Sequence, residues 1–440
     1  MERGRAARPL IRGSLKKDKA GQIGYGASMK DRYDVIVIGG GAAGMMAAGA
    51  AASRGRRVLL IEKNRRLGEK LSITGGGRCN IANAEEDERA LLAHFGDAAD
   101  FLYAPFAQFG LAETIAFFES IGVPTVTEGR KRMFPASQSA EDVTAKLYAH
   151  VKASGVDIRI GLPVVRVHTE GKQIKSVLMG GKEYRADSYV LATGGVSHPE
   201  TGSTGDGFRW LRDLGHTVTD PTPTIVPLRV KDAWVKALAG ITIPGMRMSV
   251  LVNGERRFAL KGDVLLTHFG LSGPLILNAA GKIADLMQEG EVTARIDTRP
   301  ETDLGILDKQ MAQAFSEQSN KALRNAFRTL APAGTSDALL TLLPAIDPEK
   351  KVHSVTKEER RQLAELLKGL PVSISGLMGL SRAVVADGGV ALAEVDTKTM
   401  RSRVCGNLFI VGDLLNIRRP TGGYSLQLCW TTGHVAGQHA

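Results

Sequence analysis

The sequence predicts an α/β fold with a parallel sheet, in which the first domain is interrupted by an inserted domain that is β-rich and then helical. Three observations support this prediction. Residues 33–62 contain an apolar run, a glycine-rich turn, a run of small residues and a second apolar run. From about Pro227 the pattern changes to strand alternation and then to helical spacing. After Pro371 the short buried-strand pattern of the first domain returns.

The segment from residue 33 to residue 62 predicts a βαβ unit that binds a dinucleotide. Val35–Ile38 is a continuous apolar run, as expected for a strand buried on both faces. Small residues after it predict a helix whose first N–H groups can hold phosphate, and a second strand follows. Strand, turn, helix, strand and acid in this order favour a bound dinucleotide over a glycine turn without a ligand. The predicted contacts are the motif glycines Gly39, Gly41 and Gly44, the helix-start residues Ala42 and Ala43, and the acid Glu62, which can bond to ribose hydroxyls.

The loop after Glu62 has features of a ligand-binding segment. Three consecutive glycines, Gly75 to Gly77, leave the backbone open to close approach by a ligand. Basic residues surround them and bring positive charge toward the presumed diphosphate. The residues predicted here to contact the cofactor are Lys63, Lys70, Gly76, Gly77 and Arg78.

Two later strands are predicted to end at the same edge of the sheet, where open α/β sheets bind ligands. Ser188–Gly195 is a buried strand that ends in a glycine pair, which makes Thr193 and Gly194 candidate contacts. Leu408–Val411 is followed by Gly412 and Asp413, which are candidates for the same reason.

Predicted domain boundaries follow these changes of pattern. Residues 1–30 form a basic tail without apolar period, which we expect to be disordered, and residues 31–226 form the first part of the nucleotide-binding domain. Residues 227–372 form the inserted domain, β-rich over 240–300 and helical over 303–370, and residues 373–440 return to the first domain. Asn253-Gly254 predicts a hairpin within the insert.

Composition limits the classes of protein. The chain has 440 residues and a formal net charge of +11, with 43% hydrophobic and 23% charged residues, as in ordinary globular proteins. Part of this positive charge lies in the basic tail. We interpret that segment as a solvated tail rather than as a nucleic-acid-binding arm, because runs of charge are more often solvated. The absence of a long apolar segment predicts neither a membrane span nor a signal peptide. Three cysteines without a CxxC pair predict a reducing, cytoplasmic location and no structural metal site.

Five separated motifs resemble one family. They are SITGGGRCNIAN (72–83), VLATGGVSHP (190–199), LLTHFGLSGP (265–274), GGVAL (388–392) and LFIVGDLLNIRRPTGGYSLQLCW (408–430). Together these motifs resemble the BaiN/YhiN-like bacterial flavoproteins, which are also described as NAD(P)/FAD-dependent oxidoreductases or as an aminoacetone oxidase family. The resemblance implies a glutathione-reductase-like FAD-binding Rossmann domain interrupted by an insert.

The resemblance also implies particular FAD contacts and shows two departures from the family pattern. The implied contacts are Ala43, Glu62, Lys63, Lys70, Leu71, Gly77, Asn80, Asp413, Leu426 and, through its backbone, Val164. The family usually has Glu where this chain has Asp413, and Asn where it has Ser425. Asp413 can still accept a ribityl hydrogen bond, and we expect Ser425 to cap the helix that follows Gly423. The N–H groups of that helix are expected to stabilise negative charge on the reduced flavin.

Three residues are candidates for catalysis, each with a structural alternative. Cys79 follows Arg78, which can lower the pKa of a thiol, although a buried loop thiol is the simpler interpretation. His268 in THFGLSGP and His198 in the loop after ATGG can exchange protons near neutral pH, or can serve as hydrogen-bonded loop residues.

These patterns predict an FAD-dependent oxidoreductase that transfers hydride between flavin N5 and a small organic substrate. Gly202, Gly205 and Gly207 follow no strand and are predicted to open no helix. Either NAD(P)H docks transiently to reduce the flavin, or the substrate itself delivers the hydride. The alternative is a flavoprotein that modifies or binds RNA. The sequence does not predict the oligomeric state.

Overall fold

The computed structural model describes residues 32–440, so the predicted basic tail lies outside the described residues. The first half of the described chain contains strands β1 (Arg32–Ile38), β2 (Val58–Glu62), β3 (Ala82–Asn83), β4 (Thr125–Glu128), β5 (Arg132–Pro135), β6 (Asp157–Ile160), β7 (Val164–Glu170), β8 (Gln173–Met179) and β9 (Lys182–Leu191). Its helices are α1 (Ala42–Ser53), α2 (Glu88–Ala93), α3 (Ala99–Gln108), α4 (Leu111–Ser120), α5 (Ala140–Ala153) and α6 (Asp206–Asp213).

The second half contains strands β10 (Val218–Ile225), β11 (Leu228–Val230), β12 (Thr242–Val252), β13 (Glu255–Thr267), β14 (Gly270–Ser272), β15 (Val292–Asp297), β16 (Leu370–Leu377), β17 (Val385–Val390) and β18 (Leu408–Ile410). Its helices are α7 (Ala233–Ala237), α8 (Pro274–Leu286), α9 (Leu304–Glu317), α10 (Leu323–Phe327), α11 (Ser336–Leu340), α12 (Lys357–Lys368) and α13 (Tyr424–His439).

The first core is built on a seven-stranded sheet in which β6, β2, β1, β9 and β18 run parallel. Strand β8 pairs antiparallel with the first part of β9, and β7 pairs antiparallel with β8. β1 lies between β2 and β9, and its apolar run is buried, with no residue of Val35–Ile38 more than 4% exposed, as the sequence predicts. The predicted Rossmann-type α/β fold class is confirmed.

Helices α1 and α13 pack closely on each other because small residues face one another. A Cβ added at Gly433 would lie 2.4 Å from the carbonyl oxygen of Ala43, and one at Gly437 would lie 2.3 Å from that of Ala47. The segment after the insert therefore returns to the helix of the first βαβ unit.

The second core fills a closed antiparallel barrel in the order β11-β14-β13-β12-β15-β16, and helices α9 to α12 contribute to the same hydrophobic core. The β12–β13 hairpin turns at Asn253-Gly254, both with positive φ, which confirms that prediction. We propose that this barrel with its helices is the inserted domain. Its last strand extends to Leu377, beyond the boundary that the sequence places at residue 372.

The two cores are connected by a two-stranded antiparallel ribbon of β10 and β17.

The sequence predicts that the glycines of residues 202–207 open no helix. This prediction is wrong, because α6 begins directly after Gly205. Among residues 32–440, no single helix has the length and apolar composition of a membrane span. A pair bent by 43°, Gly96–Gln108 with Leu111–Ser120, meets those criteria together.

Candidate functional site

Four parallel strands of the first sheet end at one cavity of 360 Å³. Gly39 follows β1, Glu62 ends β2, Thr193 follows β9 and Gly412 follows β18, and all four residues line the cavity. This is the carboxyl edge at which open α/β sheets bind ligands. The predicted contacts that line it are Gly39, Gly41, Ala42, Ala43, Glu62, Lys70, Leu71, Gly76, Asn80, Thr193, Gly194, Gly412, Asp413, Gly423, Ser425 and Leu426.

The motif glycines have separate structural roles. A Cβ at Gly44 would lie 1.8 Å from the carbonyl oxygen of Gly39, so Gly44 permits α1 to pack against the end of β1. Gly44 is therefore a packing residue outside the cavity lining. A Cβ at Gly41, in contrast, would meet no heavy atom of residues 32–440 within 4 Å. The backbone at Gly41, the N-cap of α1, is thus open to the cavity.

The carboxylate of Glu62 is held in one orientation at the cavity wall. Its Oε2 atom accepts a hydrogen bond from the backbone N–H of Gly40 at 2.7 Å, and Oε1 accepts one from that of Asn64 at 2.8 Å. The residue is 9% exposed. A carboxylate fixed in this way retains lone pairs that can accept bonds from ribose hydroxyls.

Lys63 and Val164 line a smaller cavity of 50 Å³, which shares Gly39, Glu62 and Thr193 with the main one. The Lys63 Nζ atom donates to the Asp206 carboxylate at 2.8 Å and to the Thr204 hydroxyl at 2.5 Å. Its charge is therefore shared with the first turn of α6.

The loop after β2 contributes Lys70 and Asn80 to the cavity. Lys70 Nζ donates to the Ser197 hydroxyl at 3.2 Å, and desolvation lowers the pKa of its ammonium group. The Asn80 amide fits when its oxygen accepts from the Gly423 N–H at 3.0 Å and its nitrogen donates to the carbonyls of Ala82 and Met133. Asn80 thus connects this loop to the start of α13.

Two predicted contacts in the same loop, Gly77 and Arg78, lie outside the lining of the cavity. Arg78 forms an ion pair with Glu128, and its Nε donates to Gln138 at 2.7 Å. Its guanidinium also lies 4.0 Å from the centroid of the Phe134 ring. These partners engage the charge of Arg78, so its predicted position beside a diphosphate stays a prediction.

At the start of α13 the structure corrects the expected capping residue. Gly423 is the N-cap, with a φ of 105° that favours glycine, and Ser425 lies inside the first turn. The Ser425 hydroxyl instead accepts a hydrogen bond from Arg419 Nε at 3.3 Å. Arg419 also forms an ion pair with Asp413 and donates to the carbonyl of Ile417 at 2.6 Å.

The three candidate catalytic residues lie outside the lining of the main cavity. Cys79 is fully buried, and burial raises the pKa of its thiol to about 12, opposite to the direction expected from Arg78. His268 is exposed in the β13–β14 turn, with its ring 4.9 Å from that of Phe269. His198 Nδ1 lies 2.8 Å from the Glu200 carboxylate, next to the Ser197 that binds Lys70.

Sequence reasoning missed two groups of site residues. Ile225, Val384 and Val385 form an apolar part of the cavity wall at the barrel end of the β10–β17 ribbon, and Cys429 also lines the cavity. Isolated apolar residues at strand ends carry no sequence signal for a ligand. Arg419 is in a quoted motif, but an arginine pair in sequence does not show which member is buried.

Three observations fit the diphosphate and hydroxyl groups of FAD. Thr193 lines both cavities, and its hydroxyl oxygen is buried beside Gly207 without a hydrogen-bond partner among the described residues. The space beside Gly41 is open at the positive end of α1. The first turn of that helix is Ala42-Ala43-Gly44-Met45, which places only apolar residues where an anion is favoured.

Comparisons with known proteins agree with this geometry. The family model described as the HI0933-like protein Rossmann domain matches residues 33–439. The chain is 29% identical over 390 residues to the 3-dehydro-bile acid delta(4,6)-reductase of Clostridium scindens, covering 87% of this chain and 92% of that protein. It is 26% identical over 414 residues to the ribosomal RNA dihydrouridine synthase of Escherichia coli, covering 93% and 98%.

Solved structures support the fold. A 3-ketosteroid-delta4-(5alpha)-dehydrogenase from Rhodococcus jostii superimposes with a TM-score of 0.53 at 14% identity, covering 94% of this chain and 98% of that one. With the fold, the cavity and the family match in agreement, the chain belongs to the HI0933-like, BaiN/YhiN-like family of FAD-binding Rossmann oxidoreductases.

Proposed function

We propose that this enzyme transfers hydride between flavin N5 and a small organic substrate that carries a conjugated carbon–carbon double bond. The observation that carries the proposal is the cavity that reaches from the N-terminus of α1 to the N-terminus of α13. Bound FAD supplies the hydride-transfer chemistry, while the chain supplies binding, orientation and electrostatics.

In this proposal the start of α1 binds the diphosphate. Gly41 leaves room for close approach, and the first N–H groups of α1 point to the same space. Glu62, fixed by Gly40 and Asn64, accepts bonds from the ribose hydroxyls. Asp413 lines the cavity at the end of β18 and accepts a bond from the ribityl chain.

The apolar part of the wall supports an apolar substrate. Ile225, Val384 and Val385 line it, and Val384 is 50% exposed, so it is available to a ligand. Hydrophobic walls with few polar groups favour ring compounds over sugars or small acids. The name of the Clostridium scindens relative, a bile acid reductase, agrees with that class of substrate.

The electron donor in this proposal is NAD(P)H that docks transiently. Helix α6 begins within the glycine-rich segment at 202–207, and its first residue is Asp206, which forms an ion pair with Lys63 at 2.8 Å. A carboxylate in the first turn opposes binding of a second diphosphate there. The features of this segment therefore favour transient docking over a permanent nicotinamide site.

The test is purification, extraction and identification of the cofactor, followed by anaerobic titration with NADH, NADPH and conjugated ring ketones. We expect FAD at one per chain, bleaching by a nicotinamide and reoxidation by an accepted substrate. Gly41→Val serves as a control because it keeps the fold and fills the space for the diphosphate. A wild-type protein that takes up no flavin under these conditions contradicts the proposal.

A second candidate is reduction of uridine in ribosomal RNA. The Escherichia coli and Haemophilus influenzae relatives with that name are each matched over at least 92% of their length, and the chain carries a formal net charge of +11. RNA retention should then fall steeply with salt, because phosphate contacts release counterions. Comparing the full chain with one lacking residues 1–29 separates binding by the tail from binding by the enzyme. Flavin reoxidation by RNA, but not by ring ketones, favours this candidate.

A further inference from the structure

A charged cluster in the cavity region includes an arginine that has no role in the function proposed above. It contains the carboxylate of Asp413, the ammonium of Lys70 and the guanidinium of Arg419. Asp413 and Lys70 line the cavity, whereas the side chain of Arg419 is 1% exposed and lies behind the wall. A buried arginine next to a cofactor cavity requires an explanation, because arginine is rarely buried without a role for its charge.

Arg419 connects three points of the wall. It forms an ion pair with Asp413, donates to the Ile417 carbonyl at 2.6 Å, and donates to the Ser425 hydroxyl at 3.3 Å. Asp413 follows β18, and Ser425 lies in the first turn of α13. The guanidinium thus fixes two cavity-lining residues relative to each other.

Positive groups outnumber negative ones in this cluster. Arg419 and Lys70 face the single carboxylate of Asp413. A hydride brings two electrons and one proton from its donor to the flavin, so the reduced flavin carries one additional negative charge. The Asp413 carboxylate alone repels that charge. The guanidinium of Arg419 cancels the charge of that carboxylate through their ion pair, whereas desolvation lowers the pKa of the Lys70 ammonium group.

We propose that Arg419 is a positioning residue that raises the reduction potential of bound FAD, by holding Asp413 and Ser425 on the cavity wall and by neutralising the carboxylate beside the flavin. This inference rests on the proposed binding of FAD. The positive end of the α13 dipole acts in the same direction as Arg419, because both place positive charge on the same side of the cavity.

Neighbouring Arg418 provides a matched control. It is 77% exposed and lies outside the cavity lining, and its Nε lies 3.1 Å from the carboxylate of Asp387, which is 12% exposed and also interacts electrostatically with Arg419. Arg418→Met therefore removes the same charge one residue away without changing the cavity wall.

The experiment measures the FAD dissociation constant, the reduction potential and the affinity for sulfite, which adds to electron-poor flavins. Arg419→Met should lower the reduction potential of bound FAD by about 30 mV, which for a two-electron couple favours oxidised over reduced flavin about tenfold. It should weaken sulfite binding by a similar factor. Asp413→Asn should shift both in the opposite direction, and the double variant should lie near the wild type. Arg418→Met should change neither.

Several outcomes overturn the inference. Arg419→Met with wild-type potential and sulfite affinity does so, as does an Arg418→Met shift of equal size. If Arg419→Met does not fold, Asp413→Asn decides alone, because an unchanged or lowered potential contradicts the charge argument. Failure of wild-type protein to bind FAD instead contradicts the proposed function, and is seen before any variant is compared.

Discussion

Replacing Thr193 with valine should stabilise the protein without cofactor and weaken FAD binding. The Thr193 hydroxyl oxygen is buried and lacks a hydrogen-bond partner among residues 32–440. An unsatisfied buried polar group costs about 1–3 kcal/mol, and valine keeps the branched shape while removing that cost. The free energy of unfolding of the apoprotein should therefore rise by about 1 kcal/mol.

The same substitution removes a hydrogen bond that FAD is expected to complete. A net hydrogen bond contributes about 1 kcal/mol, which corresponds to roughly fivefold in the dissociation constant. Urea unfolding of the apoprotein and flavin fluorescence titration measure the two effects separately. A more stable apoprotein together with weaker FAD binding identifies a hydroxyl whose hydrogen-bond partner is the ligand.

Ser176→Ala is the matched control for this prediction. Its hydroxyl is also buried and unpartnered within the described chain, but it lies in β8, away from the cavity. The control should change apoprotein stability and leave FAD affinity unaltered. Equal FAD affinities of Thr193→Val and the wild type would refute the assignment of Thr193 to the cofactor.

Three further predictions concern the motif and the titrating groups. Gly41→Val should abolish measurable FAD binding and leave the apoprotein melting curve normal. Gly44→Ala should destabilise the apoprotein by about 1–3 kcal/mol, because its Cβ would lie 1.8 Å from the Gly39 carbonyl oxygen. Equal melting curves of the two variants contradict this division of roles. Burial raises the pKa of the Cys79 thiol to about 12, so iodoacetamide at pH 8 should modify it only after unfolding, as peptide mass mapping can check. Burial lowers the pKa of His216 in the folded protein, so below about pH 6.5 the unfolded state binds more protons than the folded state. The free energy of unfolding should therefore decrease as the pH falls below about 6.5. His216→Gln should flatten this dependence in urea titrations at successive pH values.

The first βαβ unit could be predicted because its signals are local. Val35–Ile38 is apolar throughout, and the three motif glycines occupy the turn where the helix must approach the strand. The Asn253-Gly254 hairpin was predictable for the same reason, since both turn residues tolerate positive φ. In each case the deciding residues lie within a few positions of one another.

Features that depend on distant pairing could not be predicted in this way. The barrel closes because β11 pairs with β16, and the positions of these partners have no signature in either segment. Gly423 replaces Ser425 as the cap because the backbone at 423 has a φ of 105°, which the sequence alone does not reveal. The direction of Arg78 is likewise set by Glu128 and Phe134, which lie on other elements.

The close packing of α13 on α1 has a consequence for biosynthesis. Gly433 and Gly437 pack against the carbonyls of Ala43 and Ala47, and Asp413 and Ser425 line the cavity that we propose for FAD. A nascent chain that has emerged from the ribosome only as far as the barrel therefore has an incomplete cavity and an uncovered α1. Flavin loading must wait until the last segment is translated and docked, so chains truncated before α13 should accumulate as apoprotein and depend on chaperones.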